Sequence, residues 1–302
     1  MRRGLLEVLV GKFFVGTIMK MNAPKALIIT APGINCDLEL GNAFAAAGAE
    51  PHSELLQTLA REPSRIAGYD LIGLPGGFSY GDDIAAGRIM GALMSRSIYP
   101  ALRDAISRGV AMICPCNGFQ IAVQAGLLPG PDSAGDLWPE NPAQASVALA
   151  NNLSARFTDR WTRVEIPTDT VCVWTKGVAC DQPDDVLPSA HGEGRFVAPA
   201  AVVERLSAGG QIAMRYGASD NFNGSVGAIA GICDASGMVF GLMPHPERYT
   251  RWTQHPQWTR MDLQASAVRK HDPLGLRIFK NAVDWVREDR RGVNFEIGAS
   301  LS

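Results

Sequence analysis

The sequence has no long uninterrupted apolar segment and almost no net charge. The apolar stretch after Met1-Arg2-Arg3 is broken by Glu7 and Lys12, whereas a membrane-spanning helix needs about 20 predominantly apolar residues. The formal net charge of -2 and the pI of about 6.2 provide none of the clustered positive charge that nucleic acid or an anionic membrane attracts. We therefore expect neither nucleic acid nor a membrane as a partner, but a small molecule or another protein.

Cysteine is also sparse. Six cysteines in 302 residues, with no C-x-x-C pair, argue against a disulfide scaffold and against zinc or thioredoxin-like chemistry. Cys114 and Cys116 form a C-x-C pair, but no histidine or further cysteine stands beside them at metal-ligand spacing, so we expect no metal site. We predict a reducing, cytoplasmic location, and we interpret the remaining cysteines as packing residues: Cys36, Cys172, Cys180 and Cys233.

Glycine-rich nucleotide loops are missing as well. Neither G-x-x-x-x-G-K-[ST] nor G-x-G-x-x-G occurs in the chain, and these are the patterns whose backbone amides cradle phosphates. We therefore expect this chain to bind no cofactor of its own.

Length and composition are those of one well-buried domain. A chain of 302 residues is near the upper size for one hydrophobic core, and 46% hydrophobic with 19% charged residues is ordinary for a globular protein. We interpret residues 1–22 as an N-terminal extension, with Met21 as an alternative start, because the segment fits neither a leader peptide nor a membrane anchor. Residues 23–302 are predicted to form a single domain.

In the first half of the chain, short apolar runs of strand type alternate with segments of helical type. This alternation is typical of parallel strands joined by helices, which pack into a doubly wound α/β sheet. In such a sheet the ligand crevice lies beyond the carboxyl ends of the strands. The predicted strands cover residues 26–30, 52–56, 69–74 and 110–114, and the predicted helices cover residues 38–47 and 84–97.

After Gly130 the pattern changes to shorter alternating runs separated by turn residues. Residues 163–166 and 171–174 alternate in the manner of antiparallel strands, which we expect to be added to the same domain. A last helix is predicted over residues 274–286, packed back on the sheet.

The apolar run 111–114 leads almost directly to Cys116-Asn117-Gly118 and a helical segment. This is how a strand delivers a nucleophile onto a sharp turn, since Asn and Gly tolerate strained dihedral angles better than most residues. The helix N-terminus that follows favours the reactive thiolate. A cysteine among apolar residues is often inert packing, so these features alone leave both interpretations of Cys116 open.

A second apolar run, residues 238–243, ends in Pro244-His245-Pro246-Glu247-Arg248. In an extended segment, residues two positions apart face the same side, so Glu247 would hold the imidazole of His245 in orientation, and the two prolines would stiffen that form. With Cys116, these residues compose a thiol nucleophile with an oriented base. The alternative is a surface loop in which Glu247 merely pairs with Arg248.

Two glycine-rich segments are further candidates. Gly76-Gly77 follows a predicted strand and exposes backbone N–H groups, one of which could stabilise an oxyanion together with the amide of Asn117. A tight turn is the simpler interpretation of a Gly-Gly pair. His191 stands in a polar, Gly-rich loop, residues 190–196, that could bind a ligand or a partner.

Together these motifs resemble the class I glutamine amidotransferases and, within them, the family of glutaminase subunits of phosphoribosylformylglycinamidine synthase. The resemblance implies a mostly parallel, doubly wound, flavodoxin-like α/β sheet with added antiparallel strands, and a triad of Cys116, His245 and Glu247. The segments that carry it follow one another in order between about Lys25 and Val286: residues 33–37, 75–82, 116–120, 191–195, 223–225, 229–232 and 243–248.

The resemblance also implies a reaction. Cys116 would attack the side-chain amide of L-glutamine, His245 would take and return the proton, Glu247 would orient His245, and water would resolve the thioester. Gly77 and Asn117 are the implied oxyanion donors. Four residues are implied on the glutamine side: Gly76, Phe78, Gln120 and His191.

The implied partner is a synthetase subunit. It would use the ammonia, with ATP and Mg bound on its own chain, to convert formylglycinamide ribonucleotide to formylglycinamidine ribonucleotide in purine synthesis. Whether a small third subunit accompanies it stays open.

Two other functions fit parts of the pattern. A catalytically silent glutamine sensor or assembly subunit would keep the same fold, but the intact triad argues against it. A hydrolase relative that shares only the elbow would lack the His245-x-Glu247 pair and would ignore glutamine.

Overall fold

The computed structural model describes residues 23–182, 184–261 and 271–299, with side chains described up to residue 288. The extension predicted over residues 1–22 lies outside this range, so the division into an extension and one domain stays a prediction. The first half contains four strands and five helices: β1 (Lys25–Thr30), α1 (Asp37–Ala46), β2 (Glu50–Leu55), α2 (Leu56–Arg61), β3 (Leu71–Gly73), α3 (Arg88–Ser97), α4 (Tyr99–Ser107), β4 (Ala111–Pro115) and α5 (Asn117–Gln124).

The second half contains most of the strands. Its elements are β5 (Ala148–Asn151), β6 (Thr158–Glu165), β7 (Val186–His191), β8 (Glu193–Val197), α6 (Ala200–Ala208), β9 (Ile212–Tyr216), β10 (Ile229–Cys233), β11 (Val239–Leu242) and α7 (Leu274–Ala299). Across these described ranges, no helix is both long and apolar enough to cross a bilayer.

Nine of the strands form one sheet in the order β2-β1-β3-β4-β11-β10-β9-β6-β7. The five strands from β2 to β11 pair in parallel, and the pairs from β11 through β7 are antiparallel. Strands β5 and β8 form a separate antiparallel pair. The predicted α/β class, with a mostly parallel sheet extended by antiparallel strands, is confirmed.

Alternate residues of the parallel strands pack on opposite faces of the sheet, as the pleat requires. In β1, Leu27 and Ile29 lie in one core cluster, and Ala26 and Ile28 lie in the other. Helices α3, α4 and α5 cover the first face, and α1 and α7 cover the second. Each large apolar side chain buried in this way stabilises the fold by about 2 kcal/mol, so both helical layers are needed.

Two predicted helix boundaries need correction. The helix predicted from residue 84 begins at Arg88, because Gly87 precedes it with a left-handed φ of 72°. The loop before it also contains left-handed Tyr80 and Asp82. At the other end of the chain, α7 begins at Leu274 as predicted but continues to Ala299.

The strand predicted over residues 171–174 was wrong. Cys172, Val173 and Trp174 are all buried in succession, whereas a half-buried strand would bury every second residue. The segment forms turns, held by the Val173 N–H donating to the Gly237 carbonyl at 3.0 Å and by the Trp174 Nε1–H donating to the Met238 carbonyl at 3.1 Å. The other predicted strand, 163–166, overlaps β6.

Helix α5 lies unusually close to the end of β3, and Gly118 makes this possible. A Cβ atom on Gly118 would lie 2.1 Å from the Leu74 carbonyl oxygen. Helix propensity alone would favour alanine by about 1 kcal/mol. Overpacking against the backbone costs about 1 to 3 kcal/mol or more. The steric cost therefore exceeds the gain in helix propensity, and a side chain at this position destabilises the fold.

We expect Gly118→Ala to lower the free energy of unfolding by at least about 2 kcal/mol, measured by denaturant titration. Gly68→Ala is the matched control, because a Cβ atom at Gly68 meets nothing within 4 Å. Equal stability of Gly118→Ala and the wild type would show that α5 can move away from β3 freely.

Candidate active site

Cys116 stands at the junction of β4 and α5. Its φ of 51° and ψ of -110° are strained for a residue with a side chain, and such strain costs about 1 to 3 kcal/mol and persists only where the surroundings enforce it. Its N–H donates to the Leu242 carbonyl at 2.7 Å, which fixes the turn to the end of β11. The predicted sharp strand-to-helix turn is therefore present, with the sulfur at the N-terminus of α5.

His245 reaches the same edge of the sheet because β11 pairs in parallel with β4. Leu242 is the register partner of Pro115, so the chain after β11 emerges beside Cys116. The N–H of His245 donates to the Pro188 carbonyl at 2.7 Å. Its side chain lines the same cavity as Cys116, so nucleophile and base come from the carboxyl ends of adjacent strands.

Glu247 holds the other side of the imidazole. His245 Nδ1 lies 2.6 Å from Glu247 Oε1, and both side chains are buried. The expected extended conformation was wrong, since Pro246–Arg248 forms a 3-10 turn. A proline suits the first position of such a turn because its fixed φ matches and no N–H is lost. Arg248 turns away and pairs with Glu39 at 3.1 Å, which is not the surface pairing with Glu247 considered above.

The electrostatic environment favours a protonated imidazole. Burial by itself would lower the pKa of His245, but the Glu247 charge and the interaction with Cys116 raise that pKa from 6.5 to about 10. A carboxylate on one side and a thiolate on the other are the two anions that stabilise an imidazolium. The three side chains are thus arranged for proton exchange between sulfur and imidazole.

A cavity of about 230 Å³ opens beside the sulfur. Its wall includes most of the residues predicted from the sequence, namely Gly77, Phe78, Cys116, Gln120, His191 and His245. Gly76 lies against the catalytic groups, since a Cβ atom there would be 2.9 Å from His245 Cε1 and 3.5 Å from Cys116 Cβ. Asn117 is buried behind the wall, and its Nδ2 donates to Gln120 Oε1 at 2.9 Å.

The two residues predicted as oxyanion donors flank the nucleophile. Asn117 is the first residue of α5, so its N–H has no partner within the helix. Gly77 has a φ of +131°, and a Cβ atom there would lie 2.7 Å from the Asn35 nitrogen. Only glycine fits this position, which keeps the backbone close to the cavity. The donor role of both amides stays a prediction.

His191 differs from its prediction in local structure. It is the last residue of β7, and residues 193–197 form β8, so the segment consists of two successive strands joined at Gly192 and is not a loop. The two strands do not pair with each other, since β7 pairs with β6 and β8 pairs with β5. Its Nδ1 lies 3.1 Å from Asn152 Oδ1, while its buried Nε2 has no hydrogen-bond partner among the described residues. Burial, with a contribution from the nearby His245, lowers the pKa of His191 to about 4. The ring is therefore neutral near pH 7.

This low pKa predicts a pH dependence of stability. The unfolded chain takes up the proton near the ordinary pKa of 6.5, but the folded chain does so only near 4, so stability is lost as the pH falls through that window. Between pH 7 and pH 5 the His191 contribution is about 2 kcal/mol.

Denaturant unfolding at the two pH values measures this difference. We expect the difference in the free energy of unfolding between pH 7 and pH 5 to be smaller by about 2 kcal/mol in His191→Asn. The asparagine amide can still donate to Asn152. An identical pH dependence in wild type and variant would mean that His191 is protonated as readily in the folded protein as in the unfolded chain.

Other residues of the cavity were not singled out individually from the sequence. Asp82 and Glu193 lie within segments that carried the family resemblance, so their position could have been anticipated. Cys36 lies in another such segment, residues 33–37, but was interpreted as a packing residue. Phe157, which is 57% exposed, belongs to no pattern that indicates a site. Only the folding of distant segments brings these side chains to the cavity.

Cys36 is buried as a packing residue should be, yet it also contacts polar groups. Its Sγ accepts a hydrogen bond from Arg248 Nη2 at 2.9 Å. The ligand atoms of Cys36, His245 and Glu247 lie within 4.8 Å of one another, which is close enough for a metal site. The Arg248 guanidinium already places a positive charge beside this thiol and would repel a second cation. These side chains therefore fit a hydrogen-bonded network better than a metal.

Comparison with known proteins identifies related chains. Residues 23–286 match the CobB/CobQ-like glutamine amidotransferase domain. The chain is 37% identical over 274 residues to a phosphoribosylformylglycinamidine synthase subunit PurQ of Dehalococcoides mccartyi, covering 89% of this chain and all of that one. It is 40% identical over 223 residues to the subunit of the same name from Frankia casuarinae, covering 73% of this chain and 82% of the relative.

A solved structure has the same fold. It is described as PurLQS from Thermotoga maritima, and one of its chains matches with a TM-score of 0.63 at 29% sequence identity. The match covers 87% of this chain and 99% of that chain. The family match over residues 23–286 spans the whole sheet and the segments that carry Cys116, His245 and Glu247.

Proposed function

Because the chain belongs to the family of CobB/CobQ-like glutamine amidotransferase domains, we propose that it is the glutaminase subunit of a phosphoribosylformylglycinamidine synthase. It hydrolyses L-glutamine to glutamate and ammonia. The ammonia is used by a synthetase partner to convert formylglycinamide ribonucleotide to formylglycinamidine ribonucleotide in purine synthesis. The observation that carries the catalytic part is that Cys116 and His245 line one cavity while Glu247 lies 2.6 Å from Nδ1 of His245.

The first half of the reaction forms a thioester. The Cys116 thiolate attacks the carboxamide carbon of glutamine, and the carbonyl oxygen becomes an oxyanion. The imidazolium of His245 then gives its proton to the amide nitrogen, so that ammonia leaves as the carbon–nitrogen bond breaks. Glu247 keeps the imidazole in the required orientation and stabilises its positive form.

The second half returns the enzyme to its starting state. The now neutral His245 removes a proton from water, and the resulting hydroxide attacks the thioester carbon. The sulfur leaves as thiolate beside the re-formed imidazolium, and glutamate is released. In both halves the amides of Gly77 and Asn117 donate to the oxyanion, and a donor of this kind lowers the barrier by about 3 kcal/mol.

The proposed partners follow from the relatives. They are named as subunits of a synthase, and the solved structure with the same fold is described as PurLQS. A synthetase subunit that binds ATP and Mg is the partner we propose, together with a small third subunit. For this chain itself we propose no cofactor and no metal, and a cytoplasmic location.

Labelling with an electrophilic glutamine analogue tests the function. We expect mass-spectrometric mapping to find the label on Cys116, excess glutamine to suppress it, and Cys36, the other thiol of the cavity, to stay unlabelled. The experiment is run with and without the synthetase partner, which shows whether the partner completes the site. No label on Cys116 under either condition would favour the silent sensor or assembly subunit instead.

A further inference from the structure

Two carboxylates face the cavity without a cationic partner. Asp82 and Glu193 both line it and are half-buried. Within residues 23–182, 184–261 and 271–288, where side chains are described, no lysine, arginine or histidine forms a salt bridge with either. A half-buried negative charge is costly unless it is paired or well hydrogen-bonded, so this pair is suited to a positively charged group.

The hydrogen bonds that these carboxylates accept come from neutral donors. Asn117 Nδ2 lies 3.4 Å from Asp82 Oδ1, and the Ala86 N–H donates to Glu193 Oε2 at 3.3 Å. Burial raises the pKa of Asp82, and the nearby charge of Glu193 raises it further. The two groups therefore repel each other, and a bound cation would relieve the repulsion.

The main chain that carries both carboxylates is held in place. Asn152 Nδ2 donates to the His191 carbonyl at 2.8 Å, and Asn223 Nδ2 donates to the Gly194 carbonyl at 2.9 Å, which fixes the chain on either side of Glu193. Asp82 has a left-handed φ of 53°. Backbone strain of this kind persists where the surroundings enforce it and is frequent at ligand sites, so Asp82 is held toward the cavity at some conformational cost.

Their contacts with the helix after the nucleophile fit an amino acid. Asp82 Oδ1 accepts from Asn117 Nδ2 at the start of α5, and the main-chain carbonyl of Glu193 accepts from Gln120 Nε2. Gln120 stands four positions after Cys116, which is about 6 Å at the rise of an α-helix. The short aliphatic chain of glutamine separates its carboxamide carbon from its α-amino nitrogen by a similar distance.

A second feature of the cavity also indicates a polar ligand. His191 lines it, is 97% buried and leaves Nε2 without a hydrogen-bond partner in the described part of the chain. Buried polar atoms are nearly always hydrogen-bonded, so this atom indicates a partner that is supplied from outside the chain. The cavity thus combines His191 Nε2, which has no hydrogen-bond partner among the described residues, with the carboxylates of Asp82 and Glu193, which have no cationic partner there.

We propose that Asp82 and Glu193 bind the α-ammonium group of the substrate amino acid and thereby select glutamine over amides that lack this group. The proposal rests on the proposed glutaminase function. The two carboxylates are specificity-determining residues that touch the substrate away from the reacting carbon. They act on substrate binding more than on the chemical step.

Kinetics with two substrates test this role. The complex with the synthetase partner is assayed with L-glutamine and with 4-carbamoylbutanoate, which is glutamine without the amino group. We expect Asp82→Asn and Glu193→Gln each to raise KM for glutamine about 10- to 100-fold, as for a lost charged hydrogen bond, with a much smaller change in kcat. The kcat/KM for 4-carbamoylbutanoate should change little, so discrimination between the substrates collapses.

The control is Asp83→Asn, which removes the same charge one position away on the exposed side of the loop and should leave both substrates unaffected. Equal losses for both substrates in the Asp82 and Glu193 variants, or an unchanged KM for glutamine, would overturn the subsite. A wild-type complex that cannot use glutamine at all would instead overturn the proposed function, and the subsite with it.

Discussion

Cys116→Ser is expected to abolish glutamine-dependent synthesis, with a loss of at least about 10⁴-fold in kcat. The hydroxyl of serine is a far weaker acid than a thiol, so the imidazolium of His245 has no thiolate beside it and the attack on the carboxamide fails. Synthesis supplied with ammonium salts should persist, because the synthetase partner consumes ammonia from any source. Initial rates with the two nitrogen donors, measured on the same complex, give the result.

Cys180→Ser is the matched control for this loss. Cys180 lies away from the cavity, and its sulfur contacts the Val164 carbonyl at 3.1 Å, a partner to which a serine hydroxyl can also donate. We expect its glutamine-dependent rate to stay near that of the wild type. If Cys116→Ser lost both glutamine- and ammonium-dependent synthesis, a damaged complex would explain the result better than a missing nucleophile.

Glu247→Gln is expected to lower kcat with glutamine by about 10³- to 10⁴-fold while leaving the fold intact. The amide has nearly the same shape as the carboxylate but can present its NH₂ group to His245 Nδ1, which stabilises the wrong tautomer. It also removes the Glu247 charge, one of the causes that raise the pKa of His245 to about 10. Burial then lowers that pKa, so the protonated imidazole is available only at lower pH.

The pH profile of kcat/KM distinguishes this effect from simple damage. The high-pH limb of the wild-type profile should move toward lower pH in Glu247→Gln, since the imidazolium is lost earlier as the pH rises. Glu39→Gln removes a carboxylate that pairs with the adjacent Arg248 at 3.1 Å and is the control. A profile of Glu247→Gln that matched the wild type in position and height would remove Glu247 from the mechanism.

The central sheet could be predicted well because buried parallel strands leave a strong local signal. The runs at residues 26–30 and 110–114 are nearly continuous in apolar residues, since both of their faces are covered, and they became β1 and β4. Residues 171–174 show the limit of such patterns. They were interpreted as an alternating antiparallel strand, but they form turns in the core in which Cys172, Val173 and Trp174 are buried in succession.

Helices α2 and α4 were not predicted for a related reason. Each follows the preceding element almost without a break, and the proline in the first turn of α4 was not interpreted as a helix start. The pairing of strands within the sheet could not be predicted either, although it brings His245 beside Cys116. The pairing of β4 with β11 joins residues more than 100 positions apart, and no local preference specifies such a pairing.

The sequence by itself determined the reacting groups, because their chemistry is local. A cysteine on a strand-to-helix turn and a His-x-Glu pair indicate a nucleophile and an oriented base from a few neighbouring residues, without knowledge of the rest of the fold. Only the tertiary structure decided what surrounds them. The contact between Ala86 and Glu193 spans 107 positions and that between Gln120 and Glu193 spans 73, so the charge that faces the substrate depends on how distant segments pack. Packing is a property of the whole sheet, and for that reason the nucleophile could be predicted from a few residues while its binding cavity could not.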